Sequence, residues 1–97
     1  MKRIYISGPM SGLPDYNFPA FNAAAETWRA HGYEVVNPAE NNDTSQSYEW
    51  YIRRAILGLL ECDAIVMLPG WEKSHGARME HAIAANLGMT MLYGGGE

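Results

Sequence analysis

The chain has one cysteine, few basic residues and no long apolar run, and each shortage narrows what it can be. A lone Cys62 can close no intrachain disulfide and offers no paired C-x-x-C metal spacing. A reducing, cytoplasmic setting is therefore the expectation, with the thiol read as a buried structural group. Seven Lys and Arg against eleven Asp and Glu give a formal charge of -4. Without a basic stripe to neutralise a run of phosphates, extended nucleic acid is excluded as a partner. The opening "MKRIYISG" holds too few apolar residues for a signal-peptide core, and no window approaches a membrane span, so no membrane partner is expected. There is neither a G-x-G-x-x-G nor a Walker loop, and His75 and His81 form no H-E-x-x-H pattern. No cofactor and no metal site are expected. A length of 97 residues bounds a single domain, 1–97, and 47% hydrophobic content is enough for one compact core.

What is present is alternation. "KRIYISG", Lys2 to Gly8, is rich in β-formers and runs into a Gly-Pro turn, so it reads as a first strand. From about Phe18 to His31, the spacing of Phe21, Ala24, Ala25 and Trp28 predicts an amphipathic helix stopped by Gly32. "YEVVNP" reads as a second strand ending at Pro38, and the polar "AENNDTSQS" as a loop. A second helix runs from about Tyr48 to Glu61, a third strand through "AIVMLPG", a third helix from about Ser74 to Leu87, and a fourth strand through "TMLYG". The order β-α-β-α-β-α-β predicts an α/β fold: a small doubly wound, flavodoxin- or Rossmann-like parallel sheet of four strands with helices on both faces.

In such sheets ligands bind beyond the carboxyl ends of the strands, near a switch in strand order. That filter keeps Ser7 to Asn17, Asn37 to Ser47 and Gly70 to Glu80. It sets aside Asp63, at the opposite edge, as a turn or cap. Within the kept segments, "GPMSG" places Gly8 and Gly12 around a turn where a ligand could approach backbone amides, or where there is only a turn. With Ser74 as N-cap, Gly76 lies four residues before Glu80, leaving space beside its carboxylate, and the helix start favours the ionised form. Glu80 is then either a carboxylate held ready to react or a solvated helix charge. Trp71 and Tyr5 are either stacking surfaces for a planar base or core aromatics.

Three stretches, "YISGPMSG", "CDAIVMLPGW" and "SHGARME", together resemble the nucleoside 2-deoxyribosyltransferase-like superfamily, especially its short phage and bacterial members, which are related to deoxynucleotide N-hydrolases. The resemblance implies that Glu80 is the nucleophile that attacks the anomeric carbon of a 2′-deoxynucleoside or its 5′-monophosphate, with Tyr5 beside it. It puts Gly8, Pro9, Met10 and Gly12 on the ligand-binding turn, Ser74 on the sugar or phosphate, and Gly76 in the same helix-start motif. Active relatives also carry an Asp where this chain has Ala55, so Asp43, Glu49 or a neighbouring subunit would have to protonate the leaving base. A non-catalytic nucleotide-binding module is the alternative, and a small interaction protein a third. The resemblance further implies a homo-oligomer, for which "SYEWY", Ser47 to Tyr51, is a candidate contact.

Overall fold

The computed structural model describes residues 3–40 and 45–94. Its elements run β1 (Arg3–Ser7), α1 (Phe18–Ala30), β2 (Glu34–Val36), α2 (Tyr48–Leu60), β3 (Ala64–Met67), α3 (His75–Asn86) and β4 (Thr90–Tyr93). All three strand pairings are parallel, in the order β2-β1-β3-β4. The predicted fold class is the observed one. β2 is shorter than the sequence pattern indicates, because Pro38 has no N–H for a ladder and opens a 3₁₀ turn, Pro38–Glu40, instead.

Alternation along β1 sorts the core into two layers. Ile4 and Ile6 join Phe21 and Ala24 of α1 in one cluster, while Tyr5 joins Leu59 of α2 and Ala77 and Ala84 of α3 in the other. The chain leaves β1 through α1 on one face and reaches β3 through α2 on the opposite face. The switch in strand order therefore falls between β1 and β3, and their carboxyl ends flank the crevice where doubly wound sheets bind ligands.

The amino edge is tied down by Asp63. Its carboxylate accepts from the Arg3 amide at 3.1 Å, its own amide donates to the Arg3 carbonyl at 2.9 Å, and its carbonyl accepts from the Thr90 amide at 3.1 Å. Asp63 thus joins three strands, the turn role expected of it. Its neighbour Cys62 is half-buried rather than buried, and its thiol donates to the Gly58 carbonyl at 3.3 Å. Burial pushes that thiol up to about 11, which leaves it protonated and unreactive at neutral pH. No described helix is long and apolar enough to cross a membrane.

At the carboxyl edge two features need explanation. The turn before α1 holds three consecutive non-glycine residues at positive φ, Asp15 (52°), Tyr16 (52°) and Asn17 (62°). Each costs about 1–2 kcal/mol, and the Asn17 side-chain amide donating to the Pro9 carbonyl at 2.9 Å helps to hold the turn. Gly8 is required by contact: a Cβ there would lie 2.7 Å from Leu68 Cβ. Gly8→Ala is expected to force β1 and β3 apart at this edge and to cost about 1–3 kcal/mol, seen as a Tm roughly 5–20 °C lower in thermal denaturation. An unchanged Tm would show that the strand ends separate freely.

Candidate active site

Ser74 caps α3 as predicted, its hydroxyl accepting from the Ala77 amide at 3.2 Å. The helix lies close to the sheet because Ala77 and Ala84 present only methyl groups to it, and both are fully buried. Glu80 falls on the same i, i+3, i+7 stripe and so points at the sheet. It is 8% exposed, which removes the solvated-charge reading. Its carboxylate reaches the far end of β1, where the Tyr5 hydroxyl donates to Oε2 at 2.8 Å and the Ser7 hydroxyl donates to Oε1 at 2.5 Å.

Burial pushes the Glu80 carboxyl above the ordinary carboxylate range, and the hydrogen bonds from Ser7 and Tyr5 offset this only in part. Tyr5 is pushed well above the ordinary phenol value, first by its own burial and then by the charge and hydrogen bond of Glu80. The pair therefore keeps its hydroxyl proton on Tyr5. A buried carboxylate held by both oxygens at the carboxyl end of the strands can act as a nucleophile or as a proton carrier.

The other expected site residues divide. Gly8 and Pro9 follow Ser7 directly, so they border the same edge. Met10 turns away and packs on the α1-side cluster, whereas Glu80 lies on the α2/α3 side. Gly12 sits in an exposed turn at φ 82°. Gly76 is half-buried, and the space left by its missing side chain is taken by α2: a Cβ would meet Ile52 Cδ1 at 3.3 Å and the Tyr48 hydroxyl at 3.7 Å. Tyr5 is a core aromatic with its hydroxyl on Glu80, not a stacking surface. The Trp71 ring already stacks on His81, with centroids 4.3 Å apart and planes 15° apart, and His81 Nε2 pairs with the Tyr93 hydroxyl at 2.9 Å. Among the described residues no three His, Cys, Asp or Glu side chains converge as a metal site.

Ala55 packs against the cluster that contains Tyr5. Glu49, on the first turn of α2, lines a shallow groove with Tyr48, Ile52, Arg53 and Met79. Asp43 lies outside the described residues. Two participants were given no role from the sequence, although Ser7 falls in a segment that the strand-end filter keeps. Ser7 lies two positions after Tyr5 at the end of β1, so the period of two was the available signal. Gly58 makes room for the Tyr5 ring, since a Cβ there would meet Tyr5 Cε1 at 3.5 Å and Val36 Cγ1 at 3.1 Å. Nothing local in the sequence marks that contact.

Comparison with known proteins agrees with this architecture. Residues 2–93 match the family described as "Domain of unknown function (DUF4406)". No curated protein matches the chain. Among solved structures it is similar to a 2-desoxiribosyltransferase from Leishmania mexicana, with a TM-score of 0.75 at 24% sequence identity. The match covers 96% of this chain but 63% of that one, so this chain spans less than two thirds of that protein's length. At that identity the likeness is one of fold.

Proposed function

We propose that this chain, which belongs to the DUF4406 family, cleaves or transfers at the N-glycosidic bond of a 2′-deoxynucleoside or its 5′-monophosphate, through a covalent deoxyribosyl-Glu80 intermediate. The observation that carries this reading is the Glu80 carboxylate, buried at the carboxyl end of β1 and held by Tyr5 and Ser7. The fold it shares with a 2-desoxiribosyltransferase supports the choice of substrate class.

In this mechanism a Glu80 oxygen forms a bond to C1′ while the C1′–N bond breaks and its electron pair leaves with the base. A 2-deoxy sugar lacks the electron-withdrawing hydroxyl that opposes an oxocarbenium-like transition state, so one carboxylate can trap it. The base takes a proton from solvent as it leaves; water or a second base then attacks C1′, gives up a proton to solvent and displaces Glu80 as the free carboxylate. Gly8 and Pro9, which follow Ser7 at the carboxyl end of β1, would border the sugar, with Ser74 on the helix-start side. No metal or cofactor is required.

Incubation with a panel of deoxynucleosides and their monophosphates, followed by chromatography for free base, tests the reading. Base released from at least one substrate supports it. The second reading, a non-catalytic nucleotide-binding module, is favoured by Ala55, whose methyl group can donate no proton to the leaving base. Ligand binding without base release would establish that reading.

The reading places the protein in the cytoplasm as a homo-oligomer. Tyr48 is 51% exposed in the "SYEWY" segment, and Leu57 and Leu60 on the same helix are 63% and 54% exposed. Large exposed apolar side chains of this kind are what an interface between copies covers. Light scattering is expected to give at least twice the monomer mass, and a monomer at high concentration would count against the assembly.

A further inference from the structure

We infer that Ser7 is a positioning residue for Glu80, forming with Tyr5 a two-point hydroxyl clamp that fixes the plane of the carboxylate at the carboxyl end of β1. The consequence for turnover rests on the glycosidic reading, whereas the clamp itself does not.

The clamp is built on rigid backbone. Ser7 pairs with Met67 in the β1–β3 ladder, its carbonyl accepts from the Leu68 amide at 2.8 Å, and Gly8 after it is in contact with Leu68. Ser7 is 1% exposed, so its hydroxyl would be costly to bury without a partner, and that partner is Glu80 Oε1. Tyr5 and Ser7 are two residues apart and therefore share a face, one pleat after the other. The last torsion of a glutamate is broad and only weakly restrained, so a single hydrogen bond from Tyr5 to Oε2 would leave the carboxylate plane free to turn. A second donor on Oε1, from the same strand, removes that freedom. Both donors also favour the charged form, the form that can attack carbon.

The test compares wild type, Ser7→Ala and Ser7→Thr by ¹³C NMR titration of the Glu80 carboxyl, in the absence of nucleotide. Ser7→Ala is expected to titrate at higher pH than wild type, and Ser7→Thr, which keeps the hydroxyl, to move back toward wild type. Ser7→Cys, near in size but a weak donor, supplies the same comparison if the alanine variant does not fold. In base release, Ser7→Ala is expected to lose roughly 10- to 100-fold in kcat rather than in KM, and its acid limb is expected to move up with the titration. A Ser7→Ala carboxyl that titrates like wild type overturns the clamp. Titration as expected, in a protein that releases no base from any substrate, refutes the glycosidic reading and leaves the clamp standing.

Discussion

Glu80→Gln is expected to reduce base release to the detection limit, a loss on the order of 10⁴-fold or more, while the protein becomes no less stable at neutral pH. Gln keeps the shape of Glu and can still accept from one hydroxyl of the clamp, and the other hydroxyl can turn to accept from its amide. What disappears is the attacking charge. Glu80→Ala would remove the charge as well, but would orphan the buried hydroxyls of Tyr5 and Ser7, so Gln separates chemistry from folding more cleanly. The pH dependence gives a second readout. Glu80 titrates higher in the folded protein than the ordinary value of 4.5, so its protonated form contributes stability fully below that value. That contribution is lost as the pH rises through the raised folded value. Gln has no such loss, and the Tm of Glu80→Gln relative to wild type should therefore increase from acid to neutral pH. A variant with wild-type turnover would remove Glu80 from the mechanism.

Ala55→Asp is expected to raise base release by about 10²- to 10⁴-fold over a weak wild-type background, at a cost in stability. Ala55 packs against the cluster holding Tyr5, and Gly58, one turn further along α2, faces the Tyr5 ring itself. A carboxyl group at position 55 would thus enter the same layer as Glu80. Two carboxyls in one buried site do not both ionise readily, and the one left protonated is the donor that the leaving base requires. The half-buried position makes an unsatisfied carboxyl costly, so the Tm should fall by an amount corresponding to roughly 1–3 kcal/mol. Thermal denaturation and chromatography of free base on the same preparation read both effects. An early-melting variant that releases no base would show that position 55 only packs on the sheet. The proton donor would then have to be sought at Glu49, at Asp43 or across a subunit interface.

The alternation of strand and helix was legible along the chain because its signals are local. Apolar spacing, a serine before α3 and the glycines after α1 and α3 act within a turn or two of themselves, and they decide where each element starts and stops. Parallel pairing then followed from the order of the elements, and it placed the start of α3 at the carboxyl edge with Glu80 near it. Tertiary structure decided the rest. Whether Glu80 faced solvent or sheet depended on Ala77 and Ala84, which serve equally well on a buried or an exposed helix face. Ser7 acquired its meaning from a partner 73 residues away, reached only once β1 lay beside β3 beneath α3. Gly8, read from the sequence as a turn that a ligand could approach, has a packing reason as well, its contact with Leu68, and the space expected beside the carboxylate at Gly76 is occupied by α2. The ionisation of Glu80 shows the same division: the helix start, readable in the sequence, favours the charge, whereas burial, which raises the carboxyl above its ordinary value, exists only after the chain has folded.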